Sequence, residues 1–330
     1  MATVPHRIEN ETTSARLRRW ADECQGVARV LLSRSDVPKT GQIYDIIGTQ
    51  NLFGEESLFI NFGYWKNKPA TLDEASRDLA RLVARSGDFN ESDMVLDCGT
   101  GYGDQDILWA NEFGVKRITG VNIATEQIDI STRRVEAAGL ADRIDYVNAS
   151  ATDLPLEDGS CTKVVALESA FHFQSRVDFF SEAFRVLKPG GRLVTADIVP
   201  KRTFLNARYR REVDRLGWQR ASSKAVRRAA NVEAYRELLL ETGFAEAETQ
   251  SIARDVFRPL ARFLWKRLFE PDMKYVNPVL RLTVRPDNFW IHETHIDYIL
   301  AVAHKALQHA HSQPGAKELP GRDRTDLRWK

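Results

Sequence analysis

The chain has 330 residues, 43% hydrophobic and 28% charged, with 47 Lys and Arg against 46 Asp and Glu. That apolar share supports a sizeable core, and the near-zero net charge argues against a global attraction to nucleic acid or an anionic membrane. Three widely spaced cysteines (Cys24, Cys98 and Cys161) form no CxxC pair, and no window reaches the roughly 18 apolar residues of a membrane span. No disulfide framework is expected, and a soluble, cytoplasmic protein is.

Residues 12–33 are charged and helix-favouring, and residues 43–68 carry aromatics that end in FINFGYW. The stretch TLDEASRDLARLVARSG has a Thr cap, early acids, apolar spacing near 3.6 and a closing Gly87, which predicts a helix. Residues 1–90 are therefore expected to form an N-terminal helical or lid segment.

Strand and helix patterns then alternate. MVLDCG is a strand, QDILWANEFG a helix, RITGVNI a strand and TEQIDISTRRVEAAG a helix. IDYVNAS and CTKVVALES are strands, RVDFFSEAFRVLKPGG is a helix and RLVTADIV a strand. VEAYRELLLETGF is a helix, and AEAETQSIA and IDYILAVAHK are the last strands. Short apolar strands separated by amphipathic helices imply parallel pairing with right-handed crossovers. The expected fold is a doubly wound, mostly parallel seven-stranded α/β sheet over residues 91–308. Insertions at about 200–230 and 254–292 are candidate substrate covers, and the polar residues 309–330 a flexible tail.

Glycines 99, 101 and 103 fall between the first strand and its helix, where a ligand can approach the main chain and meet unpaired helix-start N–H groups. A dinucleotide fingerprint needs G-x-G-x-x-G and an acid ending the second strand. Here the third glycine comes one place early and the second strand ends in Asn122. A G-x-G-x-G loop with Asp97 two residues before it suits S-adenosylmethionine better, because the carboxylate can meet the ligand's ammonium. Asp97, Asn122, Ser150 and Glu168 all fall at strand ends, where open α/β sheets bind ligands.

In order and at these spacings, VLDCGTGYG, GVNIATEQ, ASATDLPL, LESAFHF and VLKPGGRLVTADI resemble class I S-adenosylmethionine-dependent methyltransferases. The resemblance covers roughly residues 60 to 305. It points to the small-molecule branch of sterol, tocopherol and sugar enzymes, and most of all to erythromycin-type sugar O-methyltransferases. It implies that Asp97, Gly99, Gly101 and Gly103 hold the methionine moiety, and that Asn122 and Ile123 border the ribose with Gln127 nearby. Ser150 and Ala151 would border the adenine, Leu167 the sulfonium, and Tyr64 and Trp65 of NFGYW would cover the cofactor, with S-adenosylhomocysteine as the product. Asn122 departs from the acid that many members place there for the ribose hydroxyls.

His172, four residues after Glu168, is the expected general base for a hydroxyl acceptor. Glu168 would orient it, bind the acceptor, or serve C-methylation of a prenyl substrate. Asp197 could face the acceptor or cap its strand, and a binding protein that keeps the fold without transfer is a further alternative. His292 and His295 lack a third partner at established spacing, so no metal is expected. Nor is nucleic acid, since the fourth strand ends in LESAF without a base-gripping motif. The first insertion has ten basic residues against two acids, which suits an anionic group or a solvated cover helix. The second carries Phe257, Leu260, Phe263, Leu264 and Phe269 near helical spacing, as a lipophilic acceptor pocket or a homo-oligomer face would.

Overall fold

The structure, a computed structural model, describes residues 11–32, 56–201, 231–267, 269–278 and 296–307. Its sheet contains β1 (Met94–Cys98), β2 (Arg117–Asn122), β3 (Ile144–Asn148), β4 (Cys161–Leu167), β5 (Leu187–Pro200), β6 (Glu246–Ser251) and β7 (Ile296–His304). They lie in the order β3-β2-β1-β4-β5-β7-β6. The first five are parallel, and β7 enters antiparallel between β5 and β6. This is the doubly wound α/β sheet that the alternating pattern implies. The chain steps from β1 outward to β2 and β3, then returns to the other side of β1 as β4, so the switch point lies between β1 and β4.

The helices are α1 (Thr13–Leu32), α2 (Leu72–Ser86), α3 (Asp104–Glu112), α4 (Thr125–Ala137), α5 (Arg176–Val186), α6 (Val232–Thr242) and α7 (Ala253–Arg267). The central strands read as continuous apolar runs because helices cover both faces. Val95, Ile118, Val165 and Val194 pack with Leu79 and Val83 of α2 and Trp109 of α3. Their alternates Leu96, Val121, Val164 and Ala166 pack with Phe179 and Phe180 of α5 and Leu238 of α6.

Helix α2 starts as its sequence predicts: the Thr71 hydroxyl accepts from Glu74 N, and Glu74 reaches back to the amide of Ala70. Its buried stripe of Leu72, Ala75, Leu79, Ala80 and Val83 makes it a layer on the sheet. Trp109 Nε1 donates to Ala80 O at 2.9 Å and ties α2 to α3.

The apolar stripe of α7 faces inward. Val256, Phe257, Leu260 and Leu264 are buried, and Phe269, just beyond the helix, is exposed. Among the described residues this apolar face is taken up in the core. Residues 202–230, His292, His295 and the tail 309–330 lie outside the described residues. No helix of the described residues is long and apolar enough to cross a membrane.

Asp197 does not face a ligand as a free carboxylate. It lies near the end of β5 in a two-point pair with Arg176 of α5, Nε to Oδ2 at 2.8 Å and Nη2 to Oδ1 at 3.2 Å. Both residues are buried, so the desolvation of each charge is offset by the other. Arg176→Met removes the cation that balances Asp197 and is expected to cost about 3–5 kcal/mol of folding stability, read by urea denaturation. Adding Asp197→Asn to that variant should recover a large part of the loss, which loss of side-chain packing alone would not allow.

Candidate active site

The carboxyl ends of β1, β2, β3 and β4 open into one cleft of about 270 Å³. Gly99, Gly101, Asn122, Ile123, Gln127, Ser150, Ala151, Leu167, Glu168 and His172 all line it. Residues spread over 74 positions of sequence are thus brought together by the parallel register of four strands.

The glycines serve different ends. Gly101 has φ +59, and a Cβ there would meet nothing closer than Ile60 Cδ1 at 3.9 Å, so this face of the loop is open to a ligand. Gly99 lines the cleft with its back against Ser169. Gly103 lies off the cleft. A Cβ there would collide with the Tyr146 hydroxyl, so it is a glycine because β3 and α4 press against the loop.

Asp97 is wholly buried beneath the loop. Its Oδ2 accepts from Gln105 Nε2 at 2.9 Å, while Oδ1 is buried with no hydrogen-bond partner among the described residues. Gln105 itself lines the cleft and stands between Asp97 and the open space. Asn122 spends its side chain locally: Nδ2 donates to Gln127 Oε1 at 2.8 Å and Oδ1 accepts from Ala124 N at 3.0 Å. The next residue, Ile123, is 70% exposed at the mouth of the cleft, an apolar surface suited to a flat ring.

A segment from Ser57 to Trp65 crosses the open loop. Leu58 N donates to Asp104 Oδ1 at 3.3 Å, and Asp104 also takes two bonds from Arg134 of α4. Leu58, Ile60 and Asn61 line the cleft. Asn61 accepts from Gly63 N through Oδ1, which aims Nδ2, buried and without a hydrogen-bond partner among the described residues, away from its own backbone.

Tyr64 and Trp65, expected to cover a ligand, are not among the lining residues. Trp65 is buried with Leu72, Leu260, Leu264 and Met273, its ring 5.1 Å from that of Phe263. Its Nε1 donates to Phe62 O at 3.0 Å, and Tyr64 N donates to Ala75 O. The aromatic pair anchors the crossing segment to α2 and α7, and it is Asn61 and Ile60 that reach the cleft.

Glu168 follows β4 in the left-handed region, φ +49, an uncommon and strained conformation for a residue with a side chain. Its Oε1 accepts from Phe62 N and from the Tyr298 hydroxyl of β7, both at 2.7 Å. Burial outweighs these bonds and pushes its carboxyl up to about 8, so it holds a proton at neutral pH. His172 closes a short 3₁₀ turn, Ala170–His172, with its ring 3.9 Å from that of Phe171. Burial, with the Arg176 charge adding to it, drives the imidazole down to about 3, so it is neutral. Among the described residues no group of three or more His, Cys, Asp or Glu converges to hold a metal.

A methyltransferase domain family matches residues 96–195. Erythromycin 3''-O-methyltransferase of Saccharopolyspora erythraea is 34% identical over 235 residues, covering 70% of this chain and 76% of that one. This chain belongs to the class I S-adenosylmethionine-dependent methyltransferases. The 27-O-demethylrifamycin SV methyltransferase of Amycolatopsis mediterranei is 31% identical over 218 residues, 65% of this chain and 76% of that one. In fold the methyltransferase resembles geranyl diphosphate C-methyltransferase of Streptomyces coelicolor A3(2), solved with S-adenosyl-L-homocysteine. The TM-score is 0.60 at 16% identity, over 82% of this chain and all of the other.

Its cleft suits that cofactor on three counts. Among the described residues there is an unpaired buried carboxylate oxygen below the loop, an unpaired amide donor above it, and an open backbone at Gly101 between them. The proton on Glu168 has a consequence for stability. The folded state keeps it to about pH 8, whereas an unfolded glutamate loses it near 4.5, so folding takes up a proton between those limits. The melting temperature should fall as pH rises from about 6.5, where the opposing contribution of His172 ends, to about 8, and fall less in Glu168→Gln. Equal slopes would mean that Glu168 is ionised in the fold.

Proposed function

We propose that this protein transfers the methyl group of S-adenosylmethionine to a hydroxyl of a small lipophilic natural product, with His172 as general base. The observation that carries the reading is a neutral imidazole and a protonated carboxyl, His172 and Glu168, in one cleft with Leu167. The names of the two relatives, which both place the methyl on oxygen, support it.

S-adenosylmethionine, when bound, supplies an electrophilic methyl group on a sulfonium that is already a good leaving group. The protein's tasks are then orientation, exclusion of water and removal of one proton. Asp97 and Asn61 offer an acceptor below and a donor above for the two ends of the amino acid, with Gly99 and Gly101 between. Asn122, Gln127 and Ile123 would border the ribose, the last as an apolar lid. Ser150 and Ala151 would border the adenine, and Leu167 the sulfonium.

An imidazole driven down to about 3 is a weak base toward a resting alcohol. It suffices here because the acceptor oxygen becomes strongly acidic as its bond to carbon forms, and a late proton needs only a neutral, well-placed acceptor. Glu168, still protonated, would donate to the acceptor through Oε2 while Oε1 stays fixed by Phe62 and Tyr298.

The test is incubation of the purified protein with methyl-labelled S-adenosylmethionine and small-molecule extracts, read by mass spectrometry. Label transferred to oxygen should fall about 100-fold or more in His172→Ala, the usual scale of a lost general base. Undiminished product in that variant would remove His172 from the chemistry and shift the reading to Glu168 and a carbon acceptor.

A further inference from the structure

Beneath the glycine loop lies a buried acid cluster of which the proposed cofactor site uses only Asp97. Asp97 lies near the end of β1 and Asp106 in the first turn of α3, both wholly buried. Thr100 Oγ1 donates to Asp106 Oδ2 in a short bond, and Gln105 Nε2 donates to Asp97 Oδ2 and to Thr100 O. The Oδ1 atoms of both carboxyls are buried without a hydrogen-bond partner among the described residues. Tyr146 of β3 reaches the cluster through the slot that Gly103 and Gly120 leave open.

The charges around the pair do not neutralise it. Asp104 adds a second acid toward Asp106, and Arg134 of α4 is already committed to Asp104 at 2.5 Å. The Cys98 thiol beside Asp97 is itself held protonated by burial. Two buried carboxylates, each with an oxygen that meets no donor among the described residues, are satisfied together by one proton held between them.

We propose that Asp97 and Asp106 share one proton in the ligand-free protein, and that the ammonium of S-adenosylmethionine displaces it, so that cofactor binding releases a proton to solvent. The inference rests on the cleft being the S-adenosylmethionine site. The charges balance. The pair carries one net negative charge with its proton and two without, and the arriving ammonium restores the sum to minus one. Gln105 joins the two parts, since it lines the cleft and bonds Asp97. Burial and the neighbouring Asp106 hold Asp97 well above the ordinary carboxylate range, and burial pushes Asp106 up to about 6. Asp106 is thus a positioning residue: it touches Asp97 and sets the charge that the ammonium meets.

The experiment is isothermal titration calorimetry of the wild-type protein with S-adenosylhomocysteine, which has the ammonium and lacks the sulfonium charge. Run at about pH 6.5 in buffers of different ionisation heat, the slope of enthalpy against buffer heat should show release of about one proton per ligand. With 5′-methylthioadenosine, which keeps the nucleoside but has no amino acid, the release should vanish. Asp106→Asn gives Asp97 an amide donor without a titrating proton and should abolish the release while S-adenosylhomocysteine still binds. Equal release for the two ligands, no release for either, or release that persists in Asp106→Asn would overturn the shared proton. The two-ligand comparison needs only wild-type protein and decides the matter even if the variant does not fold. S-adenosylhomocysteine that fails to bind would overturn the cofactor site and the proposal with it.

Discussion

The Glu168 carboxyl joins three parts of the chain that are far apart in sequence. It stands after β4, takes the amide of Phe62, 106 residues earlier, and the hydroxyl of Tyr298, 130 residues later. The first bond holds the crossing segment over the cleft, and the second fastens the switch point to the antiparallel strand that completes the sheet. Asn61 faces the cleft because Phe62 beside it is held there. The left-handed backbone at Glu168 is tolerated because these bonds and the surrounding core determine the position several times over.

Around that fixed point the protein separates the charges it handles. The acid beneath the loop lies on the β1 side of the switch point, and the neutral base lies beyond β4 on the turn that ends in His172. The buried pair of Arg176 and Asp197 stands behind the base. Burial holds His172 neutral even in mildly acidic solution, and the Arg176 charge of that pair adds to it. A cationic cofactor thus meets negative charge at one end of the cleft and an uncharged proton acceptor at the other.

Much of this was legible in the sequence. Period-3.6 apolar spacing in α2 and continuous apolar runs in β1 and β4 specify helix and buried strand directly, and a polar residue at the end of each of four strands marks the cleft. What escaped has a physical cause in each case. Gly103 looks like part of the ligand loop, yet it answers to Tyr146, 43 residues on. Tyr64 and Trp65 look like a cover, but the Trp65 ring packs against α7 and the Tyr64 amide bonds to α2. Asn61 sits inside NFGYW but is overshadowed there by the aromatics, and Gln105 and Tyr298 carry no motif; each matters through a bond or an unpaired atom that only the folded chain creates.

The position of β7 also bears on how the protein comes into being. The strand is near the end of the described chain, yet it pairs with both β5 and β6 and supplies Tyr298. A nascent chain still short of residue 296 therefore presents β5 with one open edge and β6 with no neighbour, a template for pairing with other chains. Five parallel strands can assemble during synthesis, but the cleft waits for the last of the seven described strands before Glu168 is secured. Ribosome-bound intermediates would thus spend the longest interval with this edge exposed, which makes the late arrival of β7 the step where chaperone protection counts most.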